Sequence, residues 1–342
     1  MLKLISTVGL LGVWFIAFFG NGDEKTESLS ALLIPPAGFP EIPFTEENQF
    51  TETRWRLGRK LFYDPILSVD SSISCGSCHM AQFAFSDTVA MSLGAGKAVG
   101  TRNAPTLTNV AYNPYFTRDG GVPTLEMQIL VPIQEHNEFN FNIVLISERL
   151  MKDSTYVQMS RAAYNREPDH FVITRAIGCF ERTIISGNSR FDKYFYQKEK
   201  DVLSNSERKG KELFYSEQVG CINCHSGFNF TDYTFKNNGL YEVYADSGRF
   251  RLTNLEADRA IFKVPTLRNV GLTAPYMHDG SFQTLTEVVE HYTTGGKAHK
   301  NKSEFIKPIN LNEQEKEHLV AFLHTLTDEE FINRKEFQPE SY

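Results

Sequence analysis

A basic surplus is missing from this chain. Lys and Arg number 35 against 42 Asp and Glu, a formal net charge of −7, whereas a nucleic-acid binder would carry the opposite balance. Strand signals are sparse, which argues against a sheet-built domain. Cysteine is scarce, with five in 342 residues. None lies near the apolar run from Leu4 to Phe19, so lipid attachment at a leader cysteine is excluded. That run follows Lys3 and reads as a secretory signal or a signal-anchor over residues 1–20. It is slightly short for a membrane span, and Phe18 and Phe19 occupy positions where a cleavage site wants small residues. Either form implies export to the periplasm, with a membrane tether if the segment is retained.

Four of the five cysteines sit in two copies of one pentapeptide. Cys75-Gly76-Ser77-Cys78-His79 and Cys221-Ile222-Asn223-Cys224-His225 both read C-x-x-C-H, the attachment pattern of c-type haem. The thiols join the macrocycle and the adjacent histidine becomes a proximal iron ligand, leaving the opposite iron face for a second ligand or a substrate. A four-thiolate zinc site or a pair of redox disulfides would not need a histidine after each pair. Two covalent haems are therefore expected, with His79 and His225 on the irons. Cys179 is left over beside an apolar stripe of Ile173, Ala176, Ile177, Phe180 and Ile184, and reads as a packed side chain. Aromatic residues make up 13% of the chain, enough to wall large apolar pockets.

The resemblance between the halves extends beyond the haem motifs. Gly58-Arg59-Lys60-Leu61-Phe62-Tyr63 is matched by Gly210-Lys211-Glu212-Leu213-Phe214-Tyr215. Pro105-Thr106-Leu107-Thr108-Asn109-Val110 is matched by Pro265-Thr266-Leu267-Arg268-Asn269-Val270, an offset of 160 that continues through Asp119-Gly120 and Asp279-Gly280 to Thr124-Leu125 and Thr284-Leu285. This is a tandem repeat. Ser206 is a candidate cap for a helix through Leu213 and Phe214. Asn312 with Glu315 forms a capping box ahead of a stripe of Leu319, Phe322, Leu323 and Leu326. The expected fold is all-α: two tandem class I cytochrome c-like domains with long ordered loops, residues 48–198 and 202–330. Ahead of them, residues 21–47 form an extended linker rich in proline (Pro35, Pro36, Pro40, Pro43), which forbids a helix and is expected to lie along the body.

The repeat also searches for distal ligands. After His225 the candidates are Met277, His278, His291, Tyr292 and His299. Tyr292 ends a short helix-like run, and its counterpart is Pro132. Proline cannot ligate iron, so the first iron is open where the second is closed.

At these residues the chain resembles the bacterial di-haem cytochrome c peroxidases, and most of all their MauG-like branch. The resemblance runs from about residue 40 to residue 328. It is carried by both haem motifs, Arg102-Asn103-Ala104-Pro105-Thr106, and the stretch from Leu267 through Pro275-Tyr276-Met277-His278-Asp279-Gly280. It implies that the N-terminal haem is peroxidatic and the C-terminal haem relays electrons. It further implies a distal pocket of Gln128, Pro132 and Glu138. Glu138 would move a peroxide proton to the departing oxygen and Gln128 would orient the peroxide. Calcium at the junction would be held by the Asn103 side chain and the carbonyls of Thr273 and Pro275.

Three positions depart from the usual family pattern. Where many members have a loop histidine that caps the resting N-terminal haem, this chain has Ala95, implying activity without reductive activation. The usual distal methionine falls at Tyr292, as in MauG-like proteins; Met277 is the rival ligand. The inter-haem tryptophan is Arg118, while Trp55 sits elsewhere. Together these give a peroxidase that reduces hydrogen peroxide with electrons from a small redox protein, either a cytochrome c or a cupredoxin. The alternatives are a MauG-like oxidase acting on a partner protein, or a plain di-haem electron carrier.

Overall fold

This computed structural model describes residues 29–339; the apolar run 4–19, and with it the leader reading, lies outside them. Among the described residues, twelve α-helices are joined by long loops and short 3-10 turns. In chain order they are α1 Glu52–Tyr63, α2 Cys75–Cys78, α3 Leu125–Gln134, α4 Ile143–Leu150, α5 Ser154–Tyr164, α6 His170–Glu181, α7 Arg190–Phe195, α8 Asn205–Tyr215, α9 Phe250–Thr253, α10 Leu285–Thr294, α11 Glu313–His324 and α12 Glu329–Ile332. The strand content among described residues is one antiparallel ribbon, β1 Phe235–Lys236 against β2 Phe262–Lys263.

Two helix crossings organise the two halves. α1 packs on α6, and α8 packs on α11. Both crossings are close because a glycine stands at each. A Cβ on Gly58 would meet the Ala176 carbonyl oxygen at 1.9 Å, and one on Gly210 would meet that of His318 at 1.8 Å. An aromatic pair locks each crossing: Phe62 on Phe180 and Phe214 on Phe322, both with centroids 5.1 Å apart. Helix α8 starts earlier than the sequence reading placed it. Ser204, not Ser206, is the cap, in a capping box with Glu207, while Ser206 Oγ pairs with His318 Nδ1 at 2.7 Å. The expected Asn312–Glu315 box does open α11, and Leu319, Phe322, Leu323 and Leu326 are buried as a stripe.

The two large cores are separate, with a small third cluster at Val110, Phe116 and Leu125. The first gathers α1 and α6 with Phe85, Ile129 and Ile146; the second gathers α8, α10 and α11 with Phe191 from α7. Cys179 is fully buried in the first. The end of the chain returns to this core: Phe331 and Phe337 pack on Phe85. Burying each such ring contributes roughly 1.5–3 kcal/mol. The Pro-rich strap also ties the halves together. Phe39 packs against both Tyr112 and Phe228, which also touch each other, and the Tyr112 hydroxyl donates to the Pro40 carbonyl at 3.0 Å.

The 160-residue offset holds in the backbone. Asn109 and Asn269 are both left-handed (φ 58° and 59°), and both reach Ser186, one through its carbonyl and the other through its hydroxyl, at 3.0 Å each. The bridge Phe116–Val122 is repeated as Tyr276–Phe282. Helices α3 and α10 have equal length, and Thr124 and Thr284 cap them.

Candidate active site

Each C-x-x-C-H segment is wound into a single turn, α2 for the first and a 3-10 turn at Cys221–Asn223 for the second. One helical turn places positions i and i+3 on the same side, so both thiols of a pair face one space. All four are free thiols. Enclosure by protein pushes Cys75 well above its ordinary range, Cys78 to about 11 and Cys221 to about 12. Such thiols stay protonated at neutral pH while no group is attached. The pairs are also not gathered together: among the described residues no group of three or more His, Cys, Asp or Glu side chains is placed to hold a metal ion.

The histidines are oriented by backbone. His79 Nδ1 lies 3.0 Å from the Phe85 carbonyl, and His225 Nδ1 lies 3.0 Å from that of Phe230. A carbonyl only accepts, so Nδ1 carries the proton and Nε2 keeps its lone pair for a metal. Burial lowers both imidazole pKa values and keeps the rings neutral. The loop that presents each carbonyl is strained, with Phe85 and Phe230 at φ 58° and 50°, and a threonine holds it. Thr106 Oγ1 donates to the Ala84 carbonyl, and Thr266 Oγ1 to that of Asn229. Each threonine oxygen in turn accepts the amide two residues on, at 3.0 and 3.1 Å. The repeated Pro-Thr-Leu therefore acts as a brace for the histidine.

A cavity of about 380 Å³ opens beside His225. Cys221, Cys224, Met277, His278 and Tyr292 line it, and Gln128, Asn103 and Arg118 reach it from the first half. Tyr292 projects from α10. Burial raises its hydroxyl to about 12, against a hydrogen bond with the Asn238 side chain, and the nearby Cys221 and Cys224 push the same way as burial. The phenol thus stands in the space shared by the second attachment thiols. Met277 lines the same wall, but its sulfur accepts from Asn238 Nδ2 at 3.2 Å. His291 and His299 do not line the cavity; they turn to the Asn238 carbonyl (3.0 Å) and to the Tyr244 ring (5.3 Å).

On the first half, Pro132 occupies in α3 the place of Tyr292 in α10. Gln128 lies one turn earlier, and its Oε1 is enclosed without a protein hydrogen-bond partner. After α3 the chain wraps back, the Phe139 amide donating to the Pro132 carbonyl at 3.1 Å. This wrap sets Glu138 near the attachment thiols, where its charge raises both Cys75 and Cys78. Glu138 keeps exposed surface, but the surrounding protein partly desolvates its carboxyl. That desolvation, followed by repulsion from Glu135, raises it to about 7. The loop carrying Ala95 lies directly against it: the Ala95 amide donates to the Glu138 carbonyl at 2.8 Å. Ala95 is buried and offers no ligating atom.

The expected calcium site does not fit. Asn103, Thr273 and Pro275 all line the cavity, but Asn103 is already engaged by a cation. Arg118 Nη2 donates to Asn103 Oδ1 at 3.0 Å and to its carbonyl at 2.8 Å, and Nε adds a third bond to that carbonyl at 3.1 Å. A divalent ion on Oδ1 would have to displace a guanidinium and then bear its charge at close range. The side-chain donor assigned to calcium is instead the seat of Arg118. Burial, then repulsion from Arg102, lowers the Arg118 pKa to about 10, so it remains a cation at neutral pH.

Free thiol pairs and pre-oriented imidazoles fit a haem joined covalently through each cysteine pair, with the adjacent histidine as iron ligand. The comparisons agree. A family model described as di-haem cytochrome c peroxidase matches residues 52–201. The methylamine utilization protein MauG of Methylorubrum extorquens is 34% identical over 313 residues, spanning 90% of this chain and 88% of that protein. The chain belongs to the di-haem cytochrome c peroxidase family. As a member it is a haem-peroxidase-type oxidoreductase. The cytochrome c551 peroxidase of Nitrosomonas europaea is 32% identical, covering 96% of this chain and 93% of that one. Among solved structures, a MauG-like protein associated with microbial copper homeostasis superposes with a TM-score of 0.82 at 33% identity, covering 90% of this chain and 97% of that one.

Three functional groups escaped the sequence reading. The Phe85 and Phe230 carbonyls were signalled by Phe83-Ala84-Phe85 and Phe228-Asn229-Phe230, a shared aromatic-x-aromatic pattern after each motif. Thr106 and Thr266 were visible as repeat matches without a role. Asn238, which bonds both Tyr292 and Met277, has no counterpart in the first half and left no signal.

Proposed function

We propose that this chain reduces hydrogen peroxide at the His79 haem and relays electrons to it through a His225/Tyr292 haem. The observation that carries this reading is the contrast between two equivalent helices: α10 turns a phenol into the cavity beside His225, whereas α3 offers a proline at the same position. When bound, haem supplies the iron that accepts peroxide and stores its oxidising equivalents. The protein's part is proton handling. Glu138, poised near neutrality, takes the proton from the inner peroxide oxygen and returns it to the outer one, so that the outer oxygen leaves as water. Gln128 orients the peroxide through its free amide. Tyr292 would hold the second iron through its phenol oxygen, giving up its proton on binding; such a ligand would favour the oxidised iron and keep peroxide off that site. The two haem-bearing halves are assigned as residues 48–198 and 202–330, and the location as the periplasm. The electron donor is a small redox protein.

A second reading is favoured by Tyr292 and Ala95 together: oxidation of a partner protein in the manner of the MauG-like branch. Fast turnover with peroxide and reduced cytochrome c supports the first reading. Slow turnover with a long-lived doubly oxidised state supports the second.

Steady-state kinetics test the proton role. In the wild type, kcat/KM for peroxide rises with pH through about 7 as Glu138 loses its proton. Glu138→Gln lowers it by about 10²-fold or more and flattens the profile, with haem content retained. Wild-type rates in that variant remove Glu138 from the mechanism.

A further inference from the structure

His278, in the cavity wall with His225 and Tyr292, connects outward to two tyrosines that the reading above does not use. Its ring centroid lies 5.9 Å from that of Tyr244 and 6.4 Å from that of Tyr241, and the two tyrosine rings are 5.4 Å apart. A polar line runs alongside. Asn238 bonds the Tyr292 hydroxyl and also faces the Tyr244 hydroxyl, 3.4 Å from its Oδ1. Tyr241 is the outer end. It is 36% exposed, and its hydroxyl donates to Asp279 Oδ2 at 2.7 Å.

The repeat supplies an internal comparison. Asp119 is the counterpart of Asp279. Its side chain is fully enclosed and bound by Arg102, Arg251 and Thr117, so its charge is spent on two guanidiniums. Asp279 instead accepts from the Tyr241 hydroxyl and the Ser281 amide (3.1 Å). Partial burial favours its neutral form, but the Tyr241 bond and the nearby His278 outweigh that and hold it below the ordinary carboxylate range. It is a carboxylate at neutral pH, already in contact with a phenol proton.

We propose that Tyr241 is a redox-active surface residue, through which a protein reductant too large to enter the cavity delivers electrons to the second haem. This rests on the peroxidase reading above, with peroxide as the oxidant. In the step, Tyr241 gives one electron inward along the ring contacts and its phenolic proton to Asp279 Oδ2. The O–H bond of the phenol breaks, an O–H bond forms on the carboxyl, and the oxidised haem is reduced by one electron. One electron from the docked protein then refills the phenoxyl as the proton returns from Asp279. Removing the proton with the electron avoids a charged phenol radical at a half-covered surface, which is the task the neighbouring carboxylate performs.

The test uses the holoprotein with one equivalent of hydrogen peroxide, no reductant and a nitroso spin trap, followed by peptide mass spectrometry. The expected result is a trap adduct on Tyr241. In parallel, the oxidised haem spectrum of Tyr241→Phe should decay about tenfold more slowly than that of the wild type. If the haem spectrum responds to peroxide but adducts form only elsewhere or not at all, or if Tyr241→Phe decays at the wild-type rate, this inference alone is overturned. If the resting spectrum does not respond to peroxide, the peroxidase reading fails and this inference fails with it.

Discussion

Three glutamates near the first site show how neighbours decide what a carboxyl does. Glu126 is desolvated, but Arg182 meets it in a two-pronged ion pair at 2.7 and 3.0 Å and holds it below its ordinary range. Glu138, without a cation, is raised to about 7. Glu181, deeper still beside Cys75, is raised by burial to about 8 despite Arg182. The sign of the last effect gives a prediction. Between its ordinary value of 4.5 and about 8, the folded chain keeps the Glu181 proton while the unfolded chain has lost it. Stability attributable to this group therefore falls as pH rises across that window. Glu181→Gln removes the slope, so the urea midpoint of the variant, relative to the wild type, should be higher at pH 8 than at pH 5. An equal difference at both pH values would show that Glu181 does not titrate there. At this scale the attachment residues were legible, because covalent chemistry demands a fixed spacing. Glu138 was reached only through family resemblance. Its role depends on a chain reversal after α3 and on the Ala95 loop behind it, and neither is written in local periodicity.

Helices carried their own signals where capping was concerned. Ser204-x-x-Glu207 satisfies the capping-box spacing better than Ser206, and the structure uses it. The helix crossings were half legible. Gly58 and Gly210 stood out as repeat matches, but their partners Ala176 and His318 lie outside the 160-residue register and share no motif. Both contacts are with backbone carbonyls, which cannot swing away as a side chain would. Gly58→Ala and Gly210→Ala should each destabilise the fold by about 3 kcal/mol or more, read by urea unfolding of the holoprotein. A change within about 0.5 kcal/mol for either would mean that the helices at that crossing separate freely. Ala at these positions would otherwise favour a helix, so packing and propensity predict opposite signs.

Across the whole molecule, the two halves share a backbone plan and differ in a few side chains. The expected calcium at their junction gives way to Arg118, whose guanidinium already binds the Asn103 oxygens. Sequence comparison marked Arg118 as a missing tryptophan and could not show that its reach ends on Asn103, because that contact crosses 15 residues of loop. Elemental analysis of the holoprotein should find no stoichiometric calcium, and dialysis against EDTA should leave its Tm unchanged. One calcium per chain, or a lower Tm after EDTA, would mean that Arg118 yields its place to the ion. The larger asymmetry is between Pro132 and Tyr292, and the proposed roles of the two irons rest on it. Low-temperature EPR of the oxidised holoprotein, beside its Tyr292→Phe variant, reads both irons at once. One high-spin and one low-spin signal are expected in the wild type, with the low-spin signal becoming high-spin in the variant. Two low-spin signals in the wild type, or a variant spectrum identical to it, would contradict the assignment of an open first site and a tyrosine-closed second one.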